Sequence, residues 1–225
     1  MSKDSKPLVR YHNNLNMVQL GKMPATCQDL FMALCYELRN KGTDAIDIPF
    51  SRIRQLSNYK ANGNDRLRED LIKTSKELLS MAGILETKKS IKLFNFFSEF
   101  EFVKDDNLLR VRVTPTFSYL INDLTKGFTK FTLSESVNLT SRHSKTLYRL
   151  LKQFSSTGTY SADIDNLKYL FGVDQNNMQN KVFIRDVIKP ATAEILPFFP
   201  ELAFKYNKAA DGRTINGLQF SFKAS

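Results

Sequence analysis

Between Phe183 and Ile195 an apolar side chain returns every four positions, at Phe183, Val187, Ala191 and Ile195. That spacing puts all four on one face and predicts a helix over residues 181–195. Lys181, Arg185, Lys189 and Thr192 fall on another face, with little acid among them. Just ahead, residues 163–171 read as a short helix that Gly172 stops. Just behind, 202–206 and 218–222 have strand character around a glycine-containing loop. Upstream, 141–154 predicts a helix with Leu147, Leu150, Leu151 and Phe154 inward, and 155–159 reads as a loop.

The first half carries the same order without residue-level identity. Thr26 caps a helix whose apolar face is Leu30, Phe31, Leu34, Cys35 and Leu38, and Lys41-Gly42 ends it. A short strand (45–48) and a small helix (52–57) follow, then a turn at Asn58-Tyr59 and a long helix (64–81) with Leu67, Leu71, Ser75 and Leu78 on one side. A strand at 84–86 and a hairpin of 90–103 with 108–113 come next; the alternation in Leu109-Arg110-Val111-Arg112-Val113 is clean. A helix opened by Pro115 and a strand at 128–133 close this half, while 9–16 shows no period. Helix, short helix, turn, long helix and hairpin, twice over, predict an α+β chain of two tandem winged helix-turn-helix domains, at 1–130 and 131–225.

Charge gives this plan a partner class. The 225 residues carry a net charge of +10 with a pI near 9.5. Residues 1–130 hold 21 Lys+Arg against 15 Asp+Glu, and residues 131–225 hold 12 against 8, so both halves are basic. A basic balance points to polyanions, and a helix-turn-helix points to double-stranded DNA. Candidate contacts are Gln179, Asn180, Lys181, Arg185, Lys189 and Thr192 on the second long helix. Arginine grips guanine O6 and N7 with two bonds, and Gln or Asn does the same with adenine. Asn176 and Asn177 stand at the start of that helix, where N–H groups favour phosphate. Lys205, Lys208 and Arg213 flank the C-terminal hairpin loop, and Arg142, Lys145 and Arg149 are expected on the exposed side of the preceding helix. In the first half Lys88, Lys89 and Lys92 make a basic run, whereas Arg66, Arg68, Lys73 and Lys76 alternate with acids as suits i,i+4 pairing. The phenylalanines at 94, 96, 97, 100 and 102 exceed what one sheet face hides, with Phe94, Phe96, Phe100 and Phe102 of one parity; a subunit interface and a buried sheet both fit.

Catalytic signals are weak, and the expectation is a protein that is not an enzyme and needs no cofactor or metal. The two histidines, His12 and His143, are far apart, so the clustered pair that a rolling-circle nickase uses to hold metal is missing. There is no phosphate-cradling Gly-x-x-x-x-Gly-Lys loop. Glu69-Asp70 and Asp105-Asp106 are adjacent pairs that do not face one another across a site. Cys27 and Cys35 fall in one predicted helix about 12 Å apart, too far for a disulfide, which suits a reducing cytoplasm. No apolar run is long enough to span a bilayer, and no membrane partner is expected.

Three blocks resemble the Rep family of plasmid replication initiators, the iteron-binding type used in theta replication. Residues 11–16 (YHNNLN) are similar to the family's N-terminal lead, 139–152 (LTSRHSKTLYRLLK) to the helix opening its second domain, and 183–195 (FIRDVIKPATAEI) to its recognition helix. The resemblance covers nearly the whole chain. It implies two winged helices placed on each direct repeat of an origin. It also implies monomers that initiate, dimers that repress their own promoter, and recruitment of the host initiator and replicative helicase. A winged-helix transcriptional repressor with no role in replication would use the same module.

Overall fold

The computed structural model describes residues 6–86, 89–122, 124–210 and 212–225. Its contacts divide the chain into two compact units: Met1–Val18 with Thr26–Val137, and Gln19–Ala25 with Asn138–Ser225. The join therefore lies at 137/138 rather than 130/131, and a short N-terminal segment belongs to the second unit. Two contacts move the join. β7 (Phe128–Thr132) pairs with β1 (Leu8–His12), and α5 (Leu133–Val137) packs on α2 (Phe50–Ser57). β1 covers the first part of the stretch that shows no period, and its partner lies over a hundred residues away.

In the first unit α1 (Ala25–Leu38), β2 (Ile46–Pro49), α2 and α3 (Asn64–Ser80) precede four strands: β3 (Ala82–Glu86), β4 (Ile91–Asn95), β5 (Phe97–Val103) and β6 (Leu108–Val113). α4 (Pro115–Ile121) follows, with Thr114 as its cap and proline in its first turn. Arg54 fixes the turn between α2 and α3 by donating to the carbonyls of Ala61 and, at 2.8 Å, Gly63, while Asn58 takes a left-handed conformation. The antiparallel sheet runs β2-β6-β5, and β3-β4 forms a separate two-stranded ribbon.

The predicted strand 90–103 is thus two strands. Phe96 sits buried between them, and β5 bulges where Phe97 pairs with Val113 but Glu99 with Arg112. A bulge inserts one residue and reverses the faces that follow. Phe97 and Phe100 consequently meet on the core side, with centroids 4.7 Å apart. Phe96 and Phe97 also reach Phe117 at 5.1 and 5.2 Å, so the buried-sheet reading holds for this cluster. Burying each ring contributes roughly 1.5–3 kcal/mol. On the sheet's outer face Arg110 bridges Asp47 at 2.7 Å and Glu101 at 3.0 Å.

The second unit repeats this plan. α6 (Arg142–Gln153), β8 (Thr159–Asp163) and α7 (Ile164–Leu170) lead to a helix at 180–195, then to β9 (Ala203–Lys208) and β10 (Ile215–Ser221). Its sheet runs β8-β10-β9, again with the last strand in the centre. Phe220 packs between Phe204 and Tyr160 at 5.7 and 6.1 Å. The N-terminal segment closes against the end of α7. Gln19 donates to the Tyr169 carbonyl at 2.7 Å, and a Cβ on Gly21 would stand 2.4 Å from the Phe171 backbone. Gly172, at φ 66, stops α7 beside it.

Candidate nucleic-acid interface

The helix at 180–195 is positioned from three sides. Asp163 caps α7 by accepting from the Asn166 N–H at 2.7 Å. The turn that follows is tied by Lys168, whose buried side chain donates from Nζ to the Met178 carbonyl at 2.6 Å and to Gln175 at 3.4 Å. Asp174 gathers the same turn by accepting from the Asn176 N–H at 2.9 Å and Asn177 Nδ2 at 2.6 Å. These two asparagines shape the turn ahead of the helix rather than its first residues.

The helix has a buried face of Phe183, Ile184, Val187, Ile188, Ala191 and Ile195. Its backbone is α8 (Asn180–Phe183), a π-helical turn (Ile184–Ile188) and α9 (Lys189–Ile195). Pro190 accounts for the wide turn. It has no N–H for the Asp186 carbonyl four residues back, and the Lys189 N–H reaches the Ile184 carbonyl instead.

The outward face carries Lys181, Arg185, Asp186 and Lys189, all exposed. Gln179 is exposed at the cap position and makes no side-chain capping bond. Asn180 and Thr192 are differently employed. Asn180 Nδ2 donates to the Ile215 carbonyl of β10 at 2.9 Å, fastening the helix to the hairpin, and the Thr192 hydroxyl donates to the Ile188 carbonyl at 2.8 Å. Arg185 is paired with its neighbour Asp186, Nε to Oδ1 at 2.6 Å and Nη2 to Oδ2 at 2.8 Å.

Lys205 and Lys208 are exposed on β9, the edge strand, and Arg213 is exposed in the connection to β10. Arg142 is exposed at the start of α6. Lys145 and Arg149 are not on a solvent face: their exposures are 3% and 2%. α6 is the central helix of its unit, enclosed on nearly every side from Ser144 to Leu151, so Lys145 and Arg149 lie within the domain. Lys89 and Lys92 are exposed on the β3-β4 ribbon, and Lys88 lies outside the described residues. On α3 the charges are matched internally: Arg68 meets Asp65 at 2.7 Å, and Arg66 lies 3.7 Å from both Glu69 and Asp70.

Two further groups hold α6 under this face. Glu194 accepts from the Thr140 hydroxyl at 2.9 Å and from the Thr140 and Ser141 N–H groups at the α6 N-terminus. Burial alone would raise its pKa, but these bonds, with the Ser144 hydroxyl close by, bring it below the usual carboxylate value. His143 stacks on Phe171 with centroids 5.9 Å apart, and burial, with Arg142 beside it, lowers its pKa to about 4, so it is neutral near pH 7. Lys168, Asp186, Pro190 and Glu194 carry no period or motif that marks them. Only the proline inside a helical run (Pro190) and the lone acid between two cations (Asp186) could have drawn notice in the sequence.

Among the described residues no group of three or more His, Cys, Asp or Glu is placed to hold a metal ion, and no helix is long and apolar enough to cross a membrane. Neither cysteine forms a disulfide.

Comparison with known proteins agrees with this architecture. Residues 8–152 match the family model described as "Initiator Replication protein, WH1", and 163–222 match "Initiator Rep protein, WH2". A "Probable replication protein rep" of Bifidobacterium longum (strain NCC 2705) is 31% identical over 220 residues, covering 97% of this chain and 73% of that protein. Among solved structures, Pi initiator protein in complex with iteron DNA superposes with a TM-score of 0.75 at 21% identity, over 99% of both chains. Domains 2 and 3 of RctB superpose at 0.50 with 13% identity, over 89% of this chain and 82% of that one. With both of its winged-helix units matched in order, the chain belongs to the Rep family of replication initiator proteins.

Proposed function

We propose that this initiator binds tandem direct repeats at a plasmid origin through both winged-helix units and so starts theta-type replication. The observation that carries this is the twofold plan: two units of the same strand order, each presenting a helix after a fixed turn, as in the fold of a protein solved on iteron DNA. In the second unit the outward face of 180–195 enters the major groove, and Lys205, Lys208 and Arg213 meet the flanking backbone. The protein acts in the bacterial cytoplasm by binding and deforming DNA, without catalysis, and hands the opened origin to the host initiator and replicative helicase.

A dimer represses the protein's own promoter, and the β3-β4 ribbon is its contact. Ile84, Ile91 and Leu93 lie on one face of that ribbon with exposures of 55%, 66% and 68%. A two-stranded ribbon with an apolar face invites a second copy. Of the phenylalanines of this hairpin, Phe96 and Phe97 are buried in the core.

A nuclease-protection footprint of the full chain on the DNA that encodes it tests the reading. Protection of tandem direct repeats is expected. Protection of an inverted repeat alone would indicate a repressor and overturn it, as would metal-dependent nicking of supercoiled DNA by the pure protein.

A further inference from the structure

Arg185 and Asp186 form the one ion pair that the described residues place on the outward face of 180–195. Adjacent residues of an ordinary α-helix diverge too far to pair in this way. The π-helical turn spans both of them, and a wider turn spreads five residues where four would stand, so neighbouring side chains diverge less. The chain of cause runs from Pro190, which lacks an N–H, to the wide turn, to two adjacent side chains standing side by side. The pair is bidentate, and each group holds the other in its charged form: the bond to Asp186 raises the Arg185 pKa, and the bond from Arg185 lowers that of Asp186.

The geometry decides which part of the guanidinium is offered outward. Asp186 occupies the edge made by Nε and Nη2. Arginine has no acceptor and a rigid planar fork of donors, so what remains is the end formed by Nη1 and the outer hydrogen of Nη2. That end matches the spacing of guanine O6 and N7 in the major groove; an adenine edge presents a donor where O6 would be and is rejected. An unrestrained arginine would sample phosphates on either side as readily as the base.

Resting on the reading that this helix enters the groove, we infer that Asp186 is a positioning residue for base recognition: it orients Arg185 end-on toward a guanine, so that each repeat contains a guanine whose recognition requires both side chains. Its own charge adds to the selectivity. Without a guanine to engage Arg185, the carboxylate faces the DNA backbone and repels it, which penalises non-specific binding.

The test uses the full chain and a duplex selected by the wild-type protein from random sequence. Each guanine is replaced in turn by 7-deazaguanine, which removes N7 alone. Wild type should lose about tenfold or more in affinity at one guanine. Arg185→Ala should be indifferent at that position. Asp186→Asn should lose most of the discrimination there while binding random duplex more tightly, with an unchanged melting temperature. A merely structural Asp186 would shift the melting temperature and affect all positions alike. If Arg185→Ala abolishes the signal but Asp186→Asn keeps it in full, Arg185 reads without a positioning partner and the inference is overturned. If Arg185→Ala changes discrimination at no guanine, the placement of this helix in the groove falls with it.

Discussion

Single carboxylates carry much of the second unit's order. Glu194 reaches across to the first turn of α6 and satisfies N–H groups that no helical carbonyl can. Its folded pKa is depressed, so it contributes stability that is fully present above the unfolded carboxylate value and is lost as pH falls through the folded one. Thermal melts between about pH 5 and pH 3 should therefore show wild type losing stability more steeply than Glu194→Gln, with the variant already less stable at pH 7 by about 1–3 kcal/mol. Parallel pH profiles would show that Glu194 is not the anchor. His143 is held neutral in the fold, with a pKa of about 4, so its own loss of stability sets in as pH falls below the ordinary imidazole value of 6.5 and is common to wild type and variant. Legibility at this scale followed period. Arg185 and Lys189 were visible because they fall off an apolar stripe that is itself periodic. Lys145 and Arg149 run against expectation because one face of a helix says nothing about what covers its other faces, and α6 is covered nearly all round. Nothing in the sequence marks Lys168, because a buried lysine is justified only by carbonyls that the turn brings to it.

At the level of elements, helices with strong local periods are legible, and so are the strands β2 and β7, although their partners lie far along the chain. α1, α3 and α6 fall within a few residues of their expected bounds. The sequence shows no period over β1 and carries no strand signal at 160–162 in β8; pairing with β7 and β10 sets them. The split of 90–103 into β4 and β5 turns on a bulge, which leaves no mark in composition. That split matters for association. It withdraws Phe96 and Phe97 into the core and leaves Ile84, Ile91 and Leu93 as the apolar surface of the ribbon. Leu93→Lys should shift sedimentation from dimer to monomer and leave the melting temperature within about 1 °C, because an exposed side chain has little packing to lose. It should also raise binding to a single direct repeat if dimers compete with initiation. An unchanged association state would place the contact elsewhere.

Across the whole molecule the chain is threaded in a way that length and composition do not reveal. Residues 19–25 belong with 138–225, and Gly21 lies where any side chain would meet the Phe171 backbone. Gly21→Ala should displace this segment from the end of α7, costing about 1–3 kcal/mol and speeding amide exchange in α7 and the turn after it. Unaltered exchange there would mean that the segment merely rests on the surface. The widest property is charge. The net +10 is shared by both halves, but it is not equally available: Arg66, Arg68 and Lys73 of α3 are matched with acids on the same helix, whereas the face at 180–195 sets Lys181 and Lys189 beside a single ion pair. Phosphate contacts should therefore come chiefly from the second unit and the exposed lysines of the ribbon and hairpin. If about five or more phosphates are engaged, log K should fall with log salt at a slope steeper than about −4. Lys205→Ala and Lys208→Ala should each reduce that slope by about 1 and weaken cognate and random DNA alike, while Lys145→Ala should leave it unchanged and act on stability instead. Binding measured from low to moderate salt on one cognate and one random duplex separates these outcomes. A slope near zero, or a slope that Lys145→Ala changes as much as Lys208→Ala does, would show that the exposed basic surface is not what holds the DNA.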